Sequence, residues 1–185
     1  MKERPILFSG EMVRAILEGR KTQTRRVIKH QPDGMDPVYT KDFKRDFGCR
    51  SCPYGVPSDR LWVRETHALD VPGCGEQGGV SYQADHDDNG GDGPTRIKWR
   101  PSIYMPRWAS RVTLEITDVR TERVQDVTNA NITAEGMPRS GDGFVSPETP
   151  RIWFRNLWDS INEKPGRAWA DNPWVWVIEF RRVDP

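Results

Sequence analysis

Residues 111–127, RVTLEITDVRTERVQDV, constrain the fold more than any other part of the sequence. Val112, Leu114 and Ile116 alternate with polar residues, which predicts a long β-strand that buries one face. The chain ends on a second alternating segment, PWVWVIEFRRV at 173–183. Two long strands of this kind, separated by only a few helices, favour an α+β protein whose sheet is mostly antiparallel.

Shorter segments complete the predicted order. RPILF, the TQTRRVI segment and SDRLWVRET predict strands at 4–8, 22–28 and 58–66, and apolar residues at helical spacing predict helices after Ser9, at 128–137 and at 149–162. Sequential strands with few helices indicate a small, mostly antiparallel barrel with flanking helices. We expect 1–185 to form a single domain, with Gly-, Pro- and Asp-rich loop insertions at about 29–58, 70–107 and 138–149.

The segment GRKTQTRR follows the first helix and concentrates positive charge at the helix exit. Lys21 and Thr24 form a candidate catalytic pair, because a threonine hydroxyl is a weak nucleophile and needs an adjacent base. Neighbouring arginines lower a lysine pKa by repulsion and so favour that role. The alternative is a basic turn without a function, since Lys and Arg are common at helix C-termini.

Two further sets of residues are weaker candidates. Glu135, in ITAEGM, is one of 27 acidic residues, and only its position at the end of a short helix distinguishes it. Cys49, Cys52 and Cys74, with nearby histidines, are an alternative zinc site, but the chain lacks a second CxxC or an HxxxH. An odd number of cysteines indicates a reducing cytoplasm.

The charge and aromatic content limit the possible partners. A net charge of +1 gives no general attraction to nucleic acid, so such binding requires a local basic patch. Trp62 and Trp99 are candidates for stacking on a base, although most tryptophans have core periodicity. MKERPILF is too polar for a signal peptide, and no apolar run approaches the roughly 20 residues of a membrane span. A cytoplasmic protein with no membrane association is expected.

The blocks GRKTQTRR, GVPSDRLWVRET, TLEITDV, AEGM and WVIEF occur in an order that resembles the ASCH domain family. That resemblance implies a PUA-like β-barrel. The longer spacing, with CPYG and KWRPSIYMPRWASR between the blocks, is similar to ASCH proteins often carried by bacteriophages and prophages.

The resemblance also implies an activity. One bacterial branch of the family hydrolyses N4-acetylcytidine to cytidine and acetate, with a lysine and a threonine of a GRKTxTxR motif as base and nucleophile and a later glutamate as proton donor. These positions correspond to Lys21, Thr24 and Glu135, and substrate contacts are expected from Arg20, Arg26, Trp62, Arg64 and Trp99. No metal or cofactor is required, and a monomer is favoured.

Two alternatives remain open at the level of sequence. The barrel is either a binding module for RNA or a modified base, or a ribonuclease in which Lys21 and Glu135 act as the acid–base pair. The near-neutral charge favours a small nucleoside substrate over a dedicated nucleic-acid binder.

Overall fold

The computed structural model describes residues 1–29, 31, 52–69, 79–86, 97–138, 150–162 and 164–183. Its strands are β1 (Glu3–Leu7), β2 (Gln23–Val27), β3 (Arg60–Arg64), β4 (His67–Leu69), β5 (Val80–Tyr82), β6 (Thr113–Arg123) and β7 (Trp174–Val183). Its α-helices are α1 (Gly10–Leu17), α2 (Asn129–Ala134) and α3 (Pro150–Asn162). These elements confirm the predicted α+β class.

Five strands form the main sheet in the order β1-β3-β6-β7-β2. β1 pairs with β3 in parallel, and the remaining pairs are antiparallel, so the sheet is mostly antiparallel as predicted. The described pairings do not close into a ring. However, Arg26 Nη2 on one edge strand donates to the carbonyl of Leu7 on the other at 2.7 Å, which is the strong curl expected of a barrel-like fold.

The last strand, β7, is the centre of the core because both of its faces are buried. Trp176 and Ile178 pack into one apolar cluster with strands β1, β3 and β6. Val175 and Val177 pack on the opposite side, under α2 and α3, in a second cluster. Because both faces of β7 are buried, its sequence is apolar almost without interruption. The alternation predicted for this strand therefore holds only in part.

Strand β6 contains a register shift between Ile116 and Asp118. One residue, Thr117, is inserted relative to the partner strand β7, as in a β-bulge. The shift changes which residues of the second half of β6 share a face with the first half.

The first helix ends where the sequence predicts. Val13 and Ile16 are buried against the first cluster. Gly19 has φ of 73°, in the left-handed region that favours glycine, and it turns the chain toward β2. Ser9 precedes the helix in an extended conformation, but its side chain makes no capping hydrogen bond.

The described part of the 70–107 segment contains β5, which pairs with β4, and short 3-10 turns at Gln83–Asp85 and Ser102–Tyr104. Most of 29–58 and 138–149 lies outside the described residues, so the proposed loop insertions stay a prediction. Within the described ranges, every helix is too short or too polar to cross a membrane.

Ile132 and Ile152 offer a matched test of the second cluster. Ile132 of α2 is fully buried, whereas Ile152 of α3 is 44% exposed. Ile132→Ala should lower the free energy of unfolding by about 2–5 kcal/mol, because it leaves a cavity. Ile152→Ala should cost less than about 1 kcal/mol. Urea unfolding measures both losses, and equal losses would contradict the assignment of α2 to the core.

Candidate active site

The exit of α1 places Lys21 against the end of α2. The backbone N–H groups of Arg20 and Lys21 both donate to the carbonyl of Ala15, at 2.8 and 3.0 Å, and so complete the helix terminus. Lys21 then forms an isolated antiparallel bridge with Glu135, and the Thr22 N–H donates to the carbonyl of Ala134 at 2.9 Å. Backbone geometry alone therefore brings the two segments together.

The side chains of Lys21 and Glu135 form a buried ion pair. Lys21 Nζ donates to Glu135 Oε2 at 2.9 Å and to the Glu135 carbonyl oxygen at 2.8 Å. Their side chains are only 1% and 5% exposed. Two residues that lie 114 positions apart in the sequence thus meet within hydrogen-bonding distance.

Arg25 completes this cluster. Its Nη1 donates to Glu135 Oε1 at 2.8 Å, and its Nε donates to Glu122 Oε1 at 3.1 Å. Two cations and two carboxylates, Lys21, Arg25, Glu122 and Glu135, therefore balance each other in a dry environment. A buried charge is tolerated only when it is compensated in this way.

Burial lowers the pKa of the Lys21 ammonium below its ordinary value. Glu135 opposes this shift through its charge and hydrogen bond, while Arg26 and Arg25 add to it by repulsion. The direction matters, because only a neutral amine accepts a proton. Transfer of one proton from the Lys21 ammonium to Glu135 would turn the ion pair into a neutral pair, and burial disfavours charged groups relative to neutral ones.

Thr24 lies on β2, opposite Ile178, and is 3% exposed. It lines a pocket together with Arg26 and Glu135, whose far wall is formed by α3 through Phe154, Leu157, Trp158, Ile161 and Asn162. Its hydroxyl makes no hydrogen bond with another described residue. Thr24 and Glu135 thus line the same pocket, while Lys21, which is not part of its lining, donates its Nζ hydrogen bonds to Glu135.

Arg26 is half-buried on the same side of β2 as Thr24. Its Nη2 donates to the Leu7 carbonyl, and its Nε has no hydrogen-bond partner among the described residues. The Phe8 ring contacts both cations, with its centroid 5.6 Å from Lys21 Nζ and 5.2 Å from Arg26 Cζ. Burial lowers the pKa of the Arg26 guanidinium.

Arg20 holds the turn after Glu135. Its Nη1 donates to the carbonyl of Gly136 at 2.9 Å, and its Nε donates to Glu18 at 2.6 Å. Gly136 has φ of 96°, and a Cβ there would lie 3.0 Å from Ala15 Cβ and 3.1 Å from Lys21 Cβ. Only glycine fits this close approach, so the turn fixes Glu135 against Lys21.

The other predicted substrate contacts lie elsewhere. Trp62 and Arg64 are on β3, which is separated from β2 by β6 and β7, and Arg64 Cζ lies 4.7 Å from the Trp62 ring centroid. Trp99 packs against His86, with ring centroids 5.2 Å apart. No hydrogen bond or ring contact between described residues joins Trp62, Arg64 or Trp99 to Lys21 or Glu135.

The alternative zinc site is only partly described. Cys52 is buried, whereas Cys49 and Cys74 lie outside the described residues. Within the described ranges, no group of three His, Cys, Asp or Glu side chains is placed to hold a metal ion.

No sequence pattern distinguishes Phe8 or Glu122 as a site residue, and the sequence identifies Arg25 only as a cation near Lys21. Phe8 is the residue after a short apolar strand, and nothing in RPILF distinguishes it from a core residue. Glu122 lies in a charged stretch of β6, and its pairing with Arg25 depends on strand register. The sequence indicates only that Arg25 lies between Thr24 and Arg26 in a predicted strand, so that its side chain projects from the opposite face.

The lowered pKa of Lys21 predicts a pH dependence of stability. Between the lowered pKa and the ordinary value of 10.5, the unfolded chain binds more protons than the folded chain. The free energy of unfolding of the wild type should therefore rise with pH through this window relative to that of Lys21→Met. Urea unfolding at several pH values between about 7 and about 10 measures this difference.

Lys98→Met is the matched control, since Lys98 is exposed. It should run parallel to the wild type over the same pH range. A constant difference between wild type and Lys21→Met would mean that Lys21 keeps its ordinary pKa.

No family model and no curated protein matches the chain. Among solved structures, the chain is similar to the ASCH domain from Lactobacillus crispatus JV V101, known from a high-resolution crystal structure. The two share 11% sequence identity with a TM-score of 0.48, and the similarity covers 100% of this chain and 81% of that chain. At this level, the similarity says nothing about an activity or a site.

Proposed function

We propose that the protein is an amidohydrolase that removes the acyl group from N4-acetylcytidine-type nucleosides. The observation that carries the proposal is the buried contact between Lys21 and Glu135, 2.9 Å apart, together with the pocket that Thr24 and Glu135 both line. A base, a proton donor and a hydroxyl nucleophile then belong to one site. This is the arrangement that the sequence motif implies.

In the acylation step, neutral Lys21 accepts the proton of the Thr24 hydroxyl. Thr24 Oγ1 attacks the acyl carbonyl carbon and forms a tetrahedral intermediate. Protonated Glu135 then donates its proton to N4 as the C–N bond breaks, so cytidine leaves as a neutral amine. The acyl group remains as an ester on Thr24, Lys21 carries one additional proton, and Glu135 has lost one.

In the deacylation step, the Glu135 carboxylate accepts a proton from water as the water oxygen attacks the ester carbonyl. The Lys21 ammonium returns its proton to Thr24 Oγ1 as the ester bond breaks. Both residues recover their starting protonation states, and the net reaction consumes one amide and one water. Arg25 remains on Glu135 Oε1 and leaves Oε2 for the proton that moves.

The oxyanion needs a donor that is not already engaged. Arg26 lines the pocket, and its Nε is a buried donor with no partner among the described residues. In the proposed reaction, the developing negative charge on the substrate oxygen would give this donor a partner. Phe154, Leu157 and Trp158 supply an apolar wall against which a pyrimidine ring packs.

Two alternatives use the same pocket. As a binding module, the protein would hold the modified base in this pocket without turnover. The Thr24 hydroxyl, which has no partner among the described residues, would then form a hydrogen bond with the base. As a ribonuclease, Lys21 and Glu135 would act on a 2′-OH and its leaving group. Incubation with N4-acetylcytidine and with a defined RNA separates the three functions by their products.

We expect cytidine and acetate to be released from N4-acetylcytidine by the wild type. Lys21→Ala and Thr24→Ala should each lower kcat by at least about 100-fold, because each removes a group that transfers a proton or attacks the substrate. Chromatography of the nucleoside products measures the rates.

Arg155→Ala is the control for these variants, since Arg155 is exposed on α3 and does not line the pocket. It should retain wild-type turnover. Undiminished turnover in Thr24→Ala would contradict the proposed ester intermediate on Thr24. Intact N4-acetylcytidine after prolonged incubation with the wild type would contradict the proposed hydrolase activity.

A further inference from the structure

We propose that Glu122 is a positioning residue for the hydrolysis, and that it acts through Arg25 to keep Glu135 able to donate a proton. This inference rests on the proposed function and adds a residue outside the pocket. Glu122 lies on β6, two strands away from β2, and is not among the described residues that line the pocket. It belongs to a row of alternating charges, the charge chain, which we define as Glu135, Arg25, Glu122, Arg120 and Glu179.

Within the charge chain, Arg25 is held between two carboxylates. Its Nη1 donates to Glu135 Oε1 at 2.8 Å, whereas its Nε and Nη2 both donate to Glu122 Oε1. Its Cζ lies 5.7 Å from the centroid of the Phe154 ring. Because the guanidinium is planar and rigid, these contacts fix the direction in which Nη1 points. Glu122 thus helps to keep Arg25 on Oε1 of Glu135 and away from Oε2, to which Lys21 donates.

The charge chain continues from Glu122 to the surface. Arg120 Nε lies 3.7 Å from Glu122 Oε2, and Arg120 Nη1 lies 2.5 Å from Glu179 Oε1. The exposed fraction of the side chains rises along this path, from 1% for Arg25 to 40% for Glu179. Water and salt screen the charges at the exposed end. The buried pair of Arg25 and Glu122 therefore has the largest influence on Glu135.

Arg25 by itself would oppose the proposed reaction. The acylation step needs a protonated Glu135 and a neutral Lys21. A guanidinium 2.8 Å from a carboxyl group instead favours the carboxylate. The proton would then stay on Lys21, and neither the base nor the proton donor would be in the required form.

Glu122 offsets this effect of Arg25. It accepts two of the N–H groups of the guanidinium and brings a negative charge to its other side. In the reactive form, Lys21 and Glu135 are both neutral, while Arg25 and Glu122 remain as a balanced buried pair. Without Glu122, the same form would leave Arg25 as a buried cation with no counterion. Ionisation of Glu135 would then supply the missing negative charge and remove the proton donor.

The first experiment measures kcat for N4-acetylcytidine against pH in the wild type and in Glu122→Gln. This variant removes the charge and keeps a carbonyl oxygen as acceptor for Arg25. The reactive form holds one proton on the pair of Lys21 and Glu135, so kcat falls when rising pH removes this proton. Loss of a nearby negative charge makes that removal easier. We expect the falling side of the profile to move down by about one pH unit, and kcat at the optimum to decrease about 10-fold.

Glu115→Gln is the matched control, because Glu115 also lies on β6 and pairs with an arginine, Arg181, at 3.1 Å. It should keep the wild-type profile. A purely structural defect would lower kcat by the same factor at every pH. An unmoved profile in Glu122→Gln, with turnover by the wild type, would overturn the inference and leave the hydrolase.

Two further variants test whether the effect passes through Arg25. The double variant with Arg25→Met and Glu122→Gln should return the falling side toward its wild-type position, because both charges are removed together. Arg120→Met should move it to higher pH, since Glu122 then loses a competing cation. Arg120 is partly exposed, so this variant keeps the test valid if Glu122→Gln does not fold. No return in the double variant, or no upward movement in Arg120→Met, would overturn the inference.

The second experiment does not depend on hydrolysis. The NMR chemical shift of Lys21 Nζ, identified by its absence in Lys21→Met, reports the loss of the Lys21 proton as pH rises. Its midpoint should be lower in Glu122→Gln than in the wild type and unchanged in Glu115→Gln. Equal midpoints in the wild type and Glu122→Gln would overturn the inference. Intact N4-acetylcytidine with a lowered midpoint would instead reject the hydrolase and leave Glu122 as a residue that controls the proton of the ion pair.

Discussion

The ion pair between Lys21 and Glu135 is the interaction on which the site depends. It joins the exit of α1 to the end of α2 in a place with almost no access to water. Removing one partner of a buried pair costs about 3–5 kcal/mol, because the other charge loses its compensation. Loss of either partner would therefore destabilise the fold, and in the proposed mechanism the same two residues supply the base and the proton donor. Gly136 and Arg20 hold the turn that keeps them together.

This pair lies at the edge of the sheet, where residues from both faces of β2 contact it. Arg25 reaches Glu135 from the face of β2 under α3, whereas Phe8 approaches Lys21 from the other face. Arg25 supplies a positive charge to Glu135, and the Phe8 ring supplies an apolar surface next to Lys21. Together they hold a lysine whose proton is less tightly bound than in water, next to a carboxylate that is positioned to receive it.

Much of the fold is predictable from the sequence, but only part of the site is. Alternation in β6 and β7, and helical spacing in α3, locate the main elements because burial imposes those periods. Lys21 and Glu135 come from motif resemblance, since no local pattern reveals a contact across 114 residues. The Arg25–Glu122 pair and the stacking of Arg64 on Trp62 depend on register and tertiary packing, which periodicity does not encode.

The bulge in β6 decides the charge balance of the site. With Thr117 inserted, Glu122 lies opposite Val175 and Arg120 opposite Val177, on the face that carries Arg25. Without this insertion, every residue after it would exchange faces, and Glu122 would point into the apolar cluster while Arg25 lost a counterion. A single inserted residue in β6 thus determines whether Glu122 can pair with Arg25 on β2, two strands away. An insertion or deletion in β6 would therefore disturb this charge balance more than most single substitutions in the strand.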